Sequence, residues 1–108
     1  MGWFGKKKTI DDRLIFGISL EVAMYDWWCI SNGHNSILTV EVEQADDIIA
    51  RILKRENLPA DAPNAVFMIK MGALAMDIDQ LQKRYDQQDI ESQVPGFCSS
   101  IGIPLPGA

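Results

Sequence analysis

The chain has 108 residues and a mass of 12.1 kDa, enough for one domain with a single core and little more. It is 47% hydrophobic and 23% charged, which excludes wholesale disorder, a collagen-like repeat and a disulfide-dense miniprotein. Ten cations face fifteen acids, and three of the cations are Lys6, Lys7 and Lys8, so an acidic body carries a short basic arm. Such a body repels phosphate backbones, and nucleic-acid binding is not expected.

Cys29 and Cys98 are the two cysteines. No N-terminal stretch reads as a signal peptide, so free thiols and a cytoplasmic location are expected. The apolar segment 14–30 contains Glu21 and Asp26, which argues against a transmembrane helix.

Residues 1–8 read MGWFGKKK. Trp3 and Phe4 with Lys6, Lys7 and Lys8 form either a solvated terminus or a weak anchor on an anionic membrane surface. Thr9 can cap a first helix spanning about 10–30, with Asp11 and Asp12 in its first turn. Ile10, Leu14, Ile18, Val22, Tyr25 and Cys29 mark its buried face; Asp12, Ser19 and Asp26 mark a polar stripe. Ile18, Leu20 and Val22 also alternate as a strand would, and Asn32-Gly33 would close a hairpin returning through 37–42. The fold expectation is therefore all-α, with an α+β hairpin as the alternative.

A second helix is expected over about 40–57, capped near Thr39. Val42, Ala45, Ile49, Ile52 and Leu53 line its apolar face, and Asp47 pairs with Arg51 one turn on. A Pro-containing linker over 57–63 leads to a third helix over about 64–88. Phe67, Met71, Leu74, Ile78, Leu81 and Tyr85 recur in steps of four and three, a seam of a and d positions. Met68 and Met76 widen it. The seam either packs on the other two helices or meets a second chain. Beyond it, 89–108 is expected to be an apolar tail, extended because Pro95, Gly96, Pro104 and Pro106 interrupt any helix.

Groups that carry chemistry do not converge. Cys29 and His34 match no zinc spacing, no glycine-rich loop cradles phosphate, and no cofactor is implied. Glu21 lies in an apolar stretch and is the best marker for an enzyme; its ordinary reading is pairing with Arg13, Arg51 or Lys54. Trp27 and Trp28 point about 100° apart on a helix, so one of them, Trp28, is expected to anchor a partner. The residues point to a non-catalytic interaction module, a small adaptor or chaperone-like protein. It would self-associate through the 67–85 seam with Trp28. The alternative is a peripheral membrane or assembly subunit docked through the arm.

Overall fold

The computed structural model describes residues 11–58, 63–76, 81, 83 and 85–106. Among them are four α-helices and no strand: α1 (Asp12–Ser31), α2 (Val42–Arg55), α3 (Pro63–Ala75) and α4 (Gln87–Ile101). The all-α class stands. The hairpin alternative does not, because the segment that would form its first strand is the body of α1.

The Asn32-Gly33 signal ends a helix instead of turning a hairpin. Gly33 adopts a positive φ of 82°, its amide donates to Ile30 O (3.1 Å), and His34 N donates to Cys29 O (2.8 Å). That pair of bonds is a Schellman motif, which satisfies carbonyls the helix end leaves open. The same motif closes α2 at Asn57 (φ 58°; Leu58 N to Leu53 O, 2.8 Å) and α4 at Gly102 (φ 73°; Ile103 N to Cys98 O, 3.0 Å). Three helices end by one rule, each with Gly or Asn where a left-handed backbone is required.

At the other ends, Asp11 caps α1 by accepting from Leu14 N at 2.9 Å. Thr9 lies outside the described residues. Thr39 is not the cap of α2: that helix begins after Glu41, with no side-chain cap bond.

The second half of the chain departs from the sequence expectation in two places. The third helix does not continue to 88. It stops at Ala75, where Met76 N turns back to Ala73 O (3.2 Å). Asp77 and Asp79 follow, acids that a helix C-terminus disfavours. Nor is 89–108 an extended tail. Asp86 accepts from Asp89 N (2.8 Å) while Asp89 Oδ2 accepts from Asp86 N (3.3 Å), a capping box that starts α4. Pro95 sits inside that helix on its exposed side. The cost of proline, about 3 kcal/mol in a helix interior, is offset by burial of Ile90, Val94, Cys98 and Ile101 along one stripe.

The core draws on all four helices. Ile18, Val22 and Tyr25 of α1 meet Ile49, Ile52 and Leu53 of α2, Ile69 and Ala73 of α3, and the α4 stripe. On α2, Val42 is exposed, whereas the other four expected core positions are buried. By length and composition α1 is apolar enough to cross a membrane, yet most of its apolar stretch is buried against the other helices.

Two residues assigned to a polar stripe on α1 turn inward. Ser19 and Asp26 are buried, and each is satisfied. Ser19 Oγ lies 2.7 Å from Ile15 O and 3.3 Å from Ile69 O, across to α3. Asp26 Oδ1 accepts from Ser36 Oγ (2.9 Å) and Ile37 N (2.7 Å). Ser36 Oγ in turn accepts from Leu38 N and Thr39 N, so one buried carboxylate organises residues 36–39 of the α1–α2 connection.

Candidate functional site

The sequence-predicted seam is divided by the fold. Phe67, Met71 and Leu74 lie on α3 and are 64%, 51% and 45% exposed. Ile78 lies outside the described residues. Leu81 is buried in the core in a separate turn, where Tyr85 N donates to Leu81 O, and Tyr85 is half-buried. The seam is thus not one helix face, and Leu81 belongs to the interior.

The reason lies in α3 itself. Between 63 and 75 its residues are apolar on every side, and Lys70 is its one charge. Periodicity therefore cannot say which face turns inward. Packing decides: Ile69 and Ala73 turn into the core, and Ile69 O and Gly72 lie against Ser19 of α1, where the missing side chain lets the two helices approach. A Cβ on Gly72 would lie 2.6 Å from Ser19 Oγ, so the glycine is a condition of that contact. The larger side chains are left outside. Met68 joins Phe67, Met71 and Leu74 there, giving an apolar face at i, i+1, i+4 and i+7. Lys70 reaches back to Asp46 of α2 at 2.9 Å and so leaves that face uncharged.

Trp28 is not a surface anchor. Trp27 and Trp28 are both buried, because α1 is covered on several sides. The Trp28 ring stacks on His34 at 6.4 Å, 16° from parallel, where the Schellman turn brings the histidine back. Trp3, Phe4, Lys6, Lys7 and Lys8 lie outside the described residues.

The cysteines are buried thiols. Burial pushes Cys29 up to about 11, against the opposing hydrogen bond from Tyr25, and raises Cys98 as well. Both stay protonated at neutral pH, which makes them poor nucleophiles. His34 meets Cys29 through backbone atoms. Among the described residues no three His, Cys, Asp or Glu side chains stand where they would hold a metal ion.

Glu21 pairs with Arg55, not with Arg13, Arg51 or Lys54. The pair is bidentate: Nη1 to Oε2 at 3.0 Å and Nη2 to Oε1 at 2.7 Å. Arg55 also donates to Ser100 Oγ (2.9 Å) and to Glu56 Oε2 (3.1 Å). These carboxylate contacts, Glu21 first, hold the guanidinium charged. The pair forms the rim of a groove between α1 and α4, of about 410 Å³, floored by Met24, Val94 and Phe97. The groove depends on α4, which sequence reading did not find; Asp86 and Asp89, three apart before an Ile90–Val94–Cys98 spacing, were the available signal.

The molecule thus offers an uncharged apolar helix face and a groove with a neutralised ionic rim. No family model, curated protein or solved structure matches the chain.

Proposed function

We propose that this chain is a non-catalytic protein–protein interaction module, an acidic adaptor or chaperone-like protein that self-associates through α3. The observation that carries the reading is the exposed face of Phe67, Met68, Met71 and Leu74. Contiguous exposed apolar side chains mark contact surfaces in soluble domains. Aromatic residues and methionines are the types enriched at interface centres, where charge is depleted. Methionine also adapts its shape to an irregular partner. The face is uncharged and identical on every copy, which suits a two-fold contact of α3 against α3. Leu81 and Trp28 are buried and Tyr85 is half-buried, so the interface we propose does without them; Ile78 lies outside the described residues, and Met68 joins the face.

Light scattering on a sizing column tests the proposal. Wild type should run at about twice the 12.1 kDa chain mass, and Phe67→Glu/Met71→Glu at the monomer mass with unchanged helical circular dichroism. Both replaced side chains are more than half exposed, so the variant should keep its fold. A wild type that stays monomeric at every concentration would refute the reading.

A further inference from the structure

A second site, independent of the α3 face, lies at the end of α1. We propose that Asn32 is a deamidation site held closed by the α1 cap, so that it reacts only when that turn opens.

The chemistry starts from the sequence. Asn32 precedes Gly33, and no other asparagine of the chain precedes a glycine. In such a pair no side chain hinders the Gly33 amide nitrogen, which can attack the Asn32 Cγ carbonyl. A C–N bond forms, the attacking nitrogen gives up its proton, and the side-chain nitrogen leaves as ammonia. Water then opens the five-membered ring at either carbonyl, leaving aspartate or isoaspartate. No oxidant is consumed. Both residues are exposed, so water reaches them.

The fold withholds each requirement of that attack. The Gly33 N–H is engaged, donating to Ile30 O at 3.1 Å. Asn32 Nδ2 donates to Trp28 O at 2.8 Å, which fixes the side chain against the preceding turn. The backbone is also set wrongly. Ring closure requires the Gly33 nitrogen to eclipse Cβ about the Asn32 Cα–C bond. At the observed ψ of 17° it nearly eclipses the Asn32 backbone nitrogen instead. His34 closes the turn from its other side, through its amide on Cys29 O (2.8 Å) and its ring on Trp28. The acceptors Trp28 O, Cys29 O and Ile30 O are consecutive, so these contacts open as one unit.

The product cannot rebuild the cap. Aspartate has no Nδ2 donor and sets a carboxylate against Trp28 O, at the negative end of the helix dipole. Isoaspartate routes the backbone through Cβ and lengthens it by one methylene. Gly33 and His34 then lose their register with Ile30 O and Cys29 O. A momentary opening of α1 leaves a lasting mark.

The test incubates the full-length chain at mildly alkaline pH, folded and in urea. Peptide mapping by mass spectrometry follows aspartate and isoaspartate at residue 32. The urea-unfolded chain should convert. The folded chain should convert more than about tenfold more slowly, the least that three bonds made together supply. Hydrogen exchange of the Gly33 and His34 amides gives the open fraction, and the slowing should match it. His34→Ala removes the ring contact and keeps the Asn-Gly pair. It should convert at the wild-type rate in urea and faster than wild type when folded, in step with its faster exchange. Asn32→Asp, which copies one product, should exchange the same two amides faster than wild type. Four results would overturn the proposal: no conversion at Asn32 in urea, equal rates folded and unfolded, folded rates that do not follow the exchange of the cap amides, or unchanged exchange in Asn32→Asp. Should His34→Ala fail to fold, the wild-type comparison of conversion with exchange decides alone.

Discussion

Gly72 of α3 lies against Ser19 of α1 so closely that a methyl group on the glycine would sit 2.6 Å from the serine Oγ and 3.1 Å from its Cβ. The Oγ is not free to swing aside, since it lies within hydrogen-bond distance of Ile15 O and Ile69 O. This contact sets the rotation of α3, and so decides which of its apolar faces stays outside. Overpacking costs about 1–3 kcal/mol, against about 1 kcal/mol gained from helix propensity. Gly72→Ala should therefore lower stability by about 1 kcal/mol. Adding Ser19→Ala should recover part of the loss, because the nearest atom is removed. Urea denaturation of both variants checks this, and equal stability of the single and double variants would count against it.

Asp26 gives the second prediction. Its carboxylate is buried and organises the α1–α2 connection through Ser36 and Ile37. Asp26→Ala should cost about 2–3 kcal/mol, in keeping with charge-assisted bonds whose buried partners are then left unpaired. Hydrogen exchange of the Leu38 and Thr39 amides should accelerate in that variant, as Ser36 loses its anchor.

The pH dependence follows from the buried thiols and Tyr25. Cys29 has an ordinary value near 9 and stands near 11 in the fold. Cys98 and Tyr25 are also raised, chiefly by burial. A raised value means the folded state favours the proton. The contribution is complete below pH 9 and is lost as pH climbs through about 11 for Cys29. Thermal unfolding between pH 8 and 11 should show Tm falling above pH 9, with a shallower fall in Cys29→Ala. A flat profile would contradict the burial argument.

The Glu21–Arg55 pair is about a third exposed on the glutamate side, so its worth is modest. A double-mutant cycle with Glu21→Gln and Arg55→Met should give a coupling of about 1 kcal/mol, shrinking in molar salt. A coupling unaffected by salt would mean that the geometry, not the charge, is what the pair contributes.

What the sequence disclosed follows from where its periodicity was informative. On α2, polar and apolar residues alternate with a helical period, so Ala45, Ile49, Ile52 and Leu53 could be placed in the core and Asp47 beside Arg51 (2.9 Å). On α3 the only polar side chains are Asn64 and Lys70, too few to mark an outside, so the large side chains read as one continuous face; close approach through Gly72 turns that face outward. The second half of that seam lies beyond the end of α3. Pro95 and Gly96 read as helix breakers, yet local propensity was overridden by the buried stripe from Ile90 to Ile101. Ser19 and Asp26 read as solvent-facing because their partners, Ile69 and Ser36–Ile37, are tertiary and leave no mark in α1.

The self-association we propose requires that the α3 face of one chain meet that of its copy. The most direct measurement is an isotope-filtered NMR experiment on an equal mixture of chains, one carrying carbon-13 methionine methyls and the other unlabelled. Cross-peaks are expected from the Met68 and Met71 methyls of one copy to the Phe67 ring and Leu74 of the other. Cross-peaks absent from these methyls, in a sample shown by light scattering to be dimeric, would put the interface elsewhere and refute the α3–α3 contact.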